Sequence, residues 1–119
     1  MNSLMIFIGG GLGSLFRYFL SIYFGPISGL PIATILANLL ASFILGFAFV
    51  QSDIAKHDSL KYLVMIGFCG GFSTFSTFSL ENFNFIKEKA YFLMMLNIFL
   101  NLMLCLAGVF LGINLAKQI

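Results

Sequence analysis

Ser73, Thr74, Ser76, Thr77 and Ser79 place five hydroxyls in seven consecutive residues, interrupted only by Phe75 and Phe78. Two more sets of neutral polar groups recur at helical spacing. Thr34, Asn38 and Ser42 fall four apart, as do Asn97, Asn101 and Cys105. Residues four apart share one face of an α-helix. Gly46 extends the first row, and Gly108 and Gly112 extend the second. A single Asn in an apolar helix ordinarily bonds to a neighbouring helix. Asn38, Asn97 and Asn101 together, beside a hydroxyl-rich segment, read as the lining of a polar path. That lining is rich in N–H and O–H donors. No Asp or Glu stands in the middle of an apolar segment, and Glu81 falls at the end of one. Donors without acids can replace the water around an anion, or hold a neutral polar solute. A proton-coupled cation carrier needs a buried carboxylate instead. Phe75 and Phe78 are three apart on one face. Packing is the ordinary role of such a pair. Here they alternate with hydroxyls, and the positive edge of each ring favours an anion.

The elements that position these groups must lie in a bilayer. The chain has 119 residues, 61% hydrophobic and 8% charged. Soluble domains carry about 25% charged residues. Mean hydropathy is +1.06. A span takes roughly 20 apolar residues, and four fit here, at about 4–24, 32–50, 61–80 and 90–116. The expected architecture is therefore all-α, a single four-helix transmembrane domain over residues 1–119. The first apolar run is read as a span and not as a signal peptide, because no basic region precedes it. It carries Gly9, Gly10, Gly11 and Gly13, which admit a neighbouring backbone. Arg17 lies inside it and must snorkel, pair or cap carbonyls. Gly25 to Pro31 form a turn, and Gln51 to Leu60 a hydrophilic loop with a lone His57. The third span holds Gly67, Gly70 and Gly71. A break at Gly70-Gly71 is expected, and unwound carbonyls there can hold a cation. Asn82 to Lys89 are expected to form the next turn.

Charge and motif content exclude several classes. A net charge of +2 does not suit nucleic acid. There is no nucleophile–base pair and no metal-ligand cluster, so no enzyme is implied. The Gly9 to Gly13 run lacks the strand that a nucleotide-binding loop follows. Cys69 and Cys105 both sit in apolar runs and are read as packing residues. Lys56, Lys61 and Lys117 fall on one side of a four-span chain, and Lys87, Lys89 and an outward Arg17 on the other. Balanced charge sets no orientation. Such a chain can insert both ways and pair head-to-tail, with a two-fold axis in the membrane plane.

These residues resemble the Fluc (CrcB) fluoride channels over the full length of the chain. The resemblance is carried by Gly9-Gly10-Gly11 with Gly13 and Arg17-Tyr18, and by Pro31-Ile32-Ala33-Thr34 through Asn38. It is carried further by Gly67 to Phe78, and by Asn97 and Asn101. It implies an antiparallel, dual-topology homodimer in the cell membrane that exports fluoride passively. Two pores would run along the subunit interfaces. A structural Na⁺ would sit at the dimer centre, on backbone carbonyls of a broken third helix. By position those carbonyls belong to Gly70 and Ser73. Asn38 becomes the central pore amide, Phe75 and Phe78 the pore aromatics, Ser76 and Thr77 the polar track, and Glu81 a vestibule acid. Asn97 and Asn101 take the family's polar fourth-helix positions. Ser73 stands where Thr is usual and Ala33 where Gly is common. Some members pair with a paralogous subunit, but the motif residues here favour a self-sufficient homodimer. Fluoride and membrane lipid are the implied partners. A small multidrug-type exporter and an accessory membrane subunit are the competing readings. The first lacks its mid-membrane acid, and the second leaves three donor-rich faces unexplained.

Overall fold

The computed structural model describes all residues from Met1 to Ile119, and it is all helical apart from turns and one isolated bridge. Helix α1 is Asn2–Tyr23 and α2 is Ile32–Val50. Two short helices, α3 (Ser52–Lys56) and α4 (Asp58–Lys61), follow in the hydrophilic loop. A π-helical stretch, Tyr62–Cys69, runs into α5 (Gly70–Phe72). Helix α6 is Phe75–Lys87 and α7 is Tyr91–Gln118. Four stretches are long and apolar enough to cross a membrane: Asn2–Tyr23, Ile32–Val50, Asp58–Lys87 and Tyr91–Gln118. The molecule is 48 Å along its longest axis, close to the roughly 40–45 Å of a bilayer with headgroups.

Two helix pairs form the body. α1 packs on the π-helical stretch and α5, and α2 packs on α7. Glycine spacing explains both. Gly9 and Gly13 face Gly67 and Gly71, each pair four residues apart. A Cβ on Gly13 would overlap the Phe68 carbonyl and lie 2.7 Å from the Phe72 amide nitrogen. A Cβ on Gly67 would lie 2.9 Å from the Ile6 carbonyl. In the other pair, a Cβ on Gly112 would overlap the Phe43 carbonyl, and one on Gly46 that of Val109. Lipid gives little hydrophobic reason for helices to associate, so close van der Waals packing must hold them.

Two expectations are corrected. Gly70 and Gly71 do not break the segment. Gly70 keeps helical backbone at φ −64°, ψ −37°, because Gly71 must stay in the helix to meet Gly10. The extended residues lie just beyond, at Ser73 (φ −79°, ψ 153°) and Thr74 (φ −147°, ψ 123°). Nor does the helix end at Leu80. The Thr74 side chain accepts the Thr77 N–H at 3.2 Å and restarts a helix that runs to Lys87. A Thr in this capping role satisfies one of the amides a helix start leaves open. Asn82, placed in a turn from its polarity, is therefore a buried helical residue.

Candidate functional site

The extended residues sit opposite Asn38 of α2. The Thr74 N–H donates to Asn38 Oδ1 at 2.9 Å. In an unbroken helix that amide would close onto the Gly70 carbonyl, and Thr77's onto Ser73's. Both amides are turned elsewhere, so the Gly70 and Ser73 carbonyls are released from the ladder. Arg17 of α1 takes a neighbouring carbonyl, its Nε donating to Gly71 O at 3.3 Å. Of the three fates open to this arginine in a membrane, carbonyl capping is the one realised. Gly70 and Ser73 line a shallow recess of about 150 Å³ with Ser42 and Cys69.

Asn38 heads a chain of four amides. Its Nδ2 donates to Asn101 Oδ1 at 2.9 Å. Asn101 Nδ2 donates to both the backbone carbonyl and Oδ1 of Asn97, at 2.9 and 3.0 Å. Asn97 Nδ2 donates to Asn82 Oδ1 at 3.0 Å. Backbone groups fix the direction. The Thr74 N–H can only donate, and the Asn97 carbonyl can only accept. Neither Asn38 nor Asn101 can therefore flip without placing like groups against each other. The fourth-helix amides are committed to partners within the chain. Asn97 is 0% exposed, and both N–H groups of Asn101 are used within the chain. Asn38 keeps one N–H that points at the Thr74 carbonyl only from 3.5 Å.

The expected pore residues divide between two clefts. Asn38, Ser42, Thr74, Phe75, Phe78 and Asn101 line one of about 330 Å³. The Phe75 and Phe78 rings are 5.5 Å apart and inclined at 46°. Phe75 is 79% exposed at its rim. Thr77 faces a second cleft of about 330 Å³, with Ser14, Arg17, Ser21 and Thr34. Glu81 and Thr77 together border the space next to it. Ser76 is exposed and lies 3.3 Å from the Thr74 hydroxyl. Asn97 reaches neither cleft.

Glu81 differs from its sequence placement. It stands in the middle of α6, half-buried, where Thr34 Oγ1 donates to its Oε2 at 2.6 Å. Its Oε1 is buried without a hydrogen-bond partner. Thr34→Val keeps the shape and removes the one bond. Loss of about 1–3 kcal/mol of stability is expected, read as a lower melting temperature in detergent. Sequence reasoning also missed Asn82. The signal was available: Asn82 is four residues after Phe78 and seven after Phe75, on their face once the helix is allowed to continue.

Four membrane-capable helices carrying an amide-fixed cleft define a multi-pass membrane protein with a polar interior and no catalytic constellation. The model of the CrcB-like, camphor-resistance (CrcB) family matches residues 4–113. The chain is 40% identical over 119 residues to the "Fluoride-specific ion channel FluC" of Pyrococcus abyssi (strain GE5 / Orsay), covering 98% of this chain and 97% of that one. It is 42% identical over 118 residues to the protein of the same name from Pyrococcus furiosus, covering 96% and 94%. It is 39% identical over 124 residues to that of Coxiella burnetii (strain CbuK_Q154), covering all of both. The chain belongs to the CrcB family, a family of channels and not of enzymes.

Proposed function

We propose that this protein is a fluoride-selective channel that lets fluoride leave the cell passively and so lowers its cytoplasmic level. The observation that carries this reading is the cleft bounded by Asn38, Thr74 and the Phe75–Phe78 pair, in a chain about 40% identical to fluoride-specific channels. Fluoride is small and strongly hydrated, and loses much on leaving water. The spare N–H of Asn38, the cleft hydroxyls and the ring edges of Phe75 and Phe78 replace that hydration. Thr77 and Glu81 belong to the approach on another face of α6, and Ser76 joins the polar track through the Thr74 hydroxyl. Asn101 lines the cleft and, with Asn97 behind it, holds Asn38.

The working unit is an antiparallel homodimer in the cell membrane, with two pores and a third segment working as two half-helices. The nearly even lysines, Lys56, Lys61 and Lys117 against Lys87 and Lys89, support it, as does the 79% exposure of Phe75 beside a polar cleft, a ring that a second copy would cover. The same unit holds a structural Na⁺. The Gly70 and Ser73 carbonyls fit that ion, since both are deprived of backbone amides and sit on an open recess. Bound there, the ion supplies positive charge beside the anion path. Exchange of Na⁺ for a bulky organic cation is expected to lower the thermal stability of the purified dimer, with Na⁺ restoring it. An unchanged melting curve removes the site.

The defining measurement is ion efflux from liposomes holding the purified protein. Fluoride is expected to leave fast and chloride at the protein-free rate. No fluoride efflux, or equal chloride efflux, rejects the reading. The half-buried Glu81 is one feature shared with proton-coupled exporters. Protein-dependent fluoride movement against its electrochemical gradient, driven by a pH gradient, favours that alternative, whereas a passive channel only dissipates the electrochemical gradient of fluoride.

A further inference from the structure

We infer that Asn82 is a positioning residue for the fluoride path: from α6 it holds the pore amide of Asn38 in place through Asn97 and Asn101. The inference rests on the proposed role of Asn38 as the ion-facing donor. Asn82 touches neither cleft. It is 9% exposed, and its Oδ1 accepts from Asn97 Nδ2 at 3.0 Å. Asn97 has the largest fully buried side chain in the chain. A buried amide N–H without an acceptor is costly, so Asn82 anchors the end of Asn97 that points away from Asn101. That orientation turns Asn97 Oδ1 toward Asn101, which it meets at 3.0 Å. Asn101 in turn presents Oδ1 to Asn38 at 2.9 Å. Removing the last acceptor leaves an Asn97 N–H unpaired and weakens its side-chain bond to Asn101; the Asn97 backbone carbonyl still fixes which way Asn101 faces, so the Asn38 amide shifts in position without flipping.

The chain of bonds also ties α6 to α2 through α7. Phe75 and Phe78 begin the same helix that carries Asn82. The relay therefore sets where the aromatic pair stands relative to the amide it faces. Sequence rows on single helices do not contain this link, because Asn82 and Asn97 lie on different helices.

The test is a double-mutant cycle read as fluoride efflux from liposomes. Asn82→Leu has a similar volume and no acceptor. It is expected to slow efflux about tenfold in the otherwise wild-type protein. In an Asn38→Ser background, where the held amide is gone, it should slow efflux by less than about twofold. A purely structural role predicts the same loss in both backgrounds, and that result overturns the inference. Wild-type efflux in Asn82→Leu overturns it too, while leaving the channel reading intact. Absence of fluoride efflux from wild type overturns the channel reading itself and the inference with it. If Asn82→Leu does not yield monodisperse protein, Asn82→Ala in the same two backgrounds reads the same coupling.

Discussion

Fluoride is expected to leave liposomes bearing Asn38→Asp about a hundredfold more slowly than wild type, or more slowly still. The aspartate keeps one contact, since a carboxylate oxygen can still accept the Thr74 N–H. It loses the other. Its second oxygen faces Asn101 Oδ1, where the amide N–H stood at 2.9 Å. Asn101 cannot rotate to help, because its Nδ2 is held by the Asn97 carbonyl. Two acceptors then meet in a buried place, at a penalty of about 1–3 kcal/mol. A fixed negative charge also faces an anion. Like charges about 4 Å apart repel by about 4 kcal/mol at an effective dielectric of 20. The first effect alone is worth about fivefold to a hundredfold, and the second about a thousandfold. Asn38→Ser keeps a neutral donor and is expected to fall between the two. Normal flux in Asn38→Asp rejects Asn38 as the pore amide.

Gly13→Ala is expected to destabilise the protein by about 1–3 kcal/mol, and Gly13→Leu to prevent a stable fold. The three nearest atoms a new Cβ would meet there are all backbone: the Phe68 carbonyl, the Phe72 amide nitrogen at 2.7 Å and the Gly71 carbonyl carbon at 3.1 Å. No side chain can rotate away, so α1 must move off the third segment. Gly11→Ala is the control, because a Cβ there meets nothing within 4 Å. Thermal unfolding of the purified variants separates the two glycines, and equal stability would reject the close crossing. The loss should reach function as well. Arg17 lies one helical turn from Gly13 and caps the Gly71 carbonyl. Displacing α1 withdraws that cap from the end of α5.

Individual residues show how far the sequence could be read. Asn38 and the Phe75–Phe78 pair were legible because an amide or an alternating hydroxyl–aromatic run has no ordinary place in an apolar segment. The extended residues fall at Ser73-Thr74, three positions beyond the expected Gly70-Gly71. Glycine marks both a loosened backbone and a close helix contact, and only the position of α1 tells which. Asn82 reads as a turn residue for a similar reason. Its polarity was visible, but its partner Asn97 is fifteen residues away on another helix.

Composition and spacing by themselves determined the solvent, the helical class and the neutral, donor-rich character of the interior. Those properties are sums over local residue types: too few charges for a water-facing surface, and polar groups recurring at the helical repeat. The tertiary structure decided which donors remain free. Hydrogen-bond capacity is spent pair by pair in space. Asn101 and Asn97 look equal to Asn38 along the chain, yet packing α7 between α2 and α6 commits their amides to the protein. It decided likewise that the hydroxyl-rich segment opens at Ser73 and Thr74, because Asn38 of another helix takes the amide that would have continued the helix.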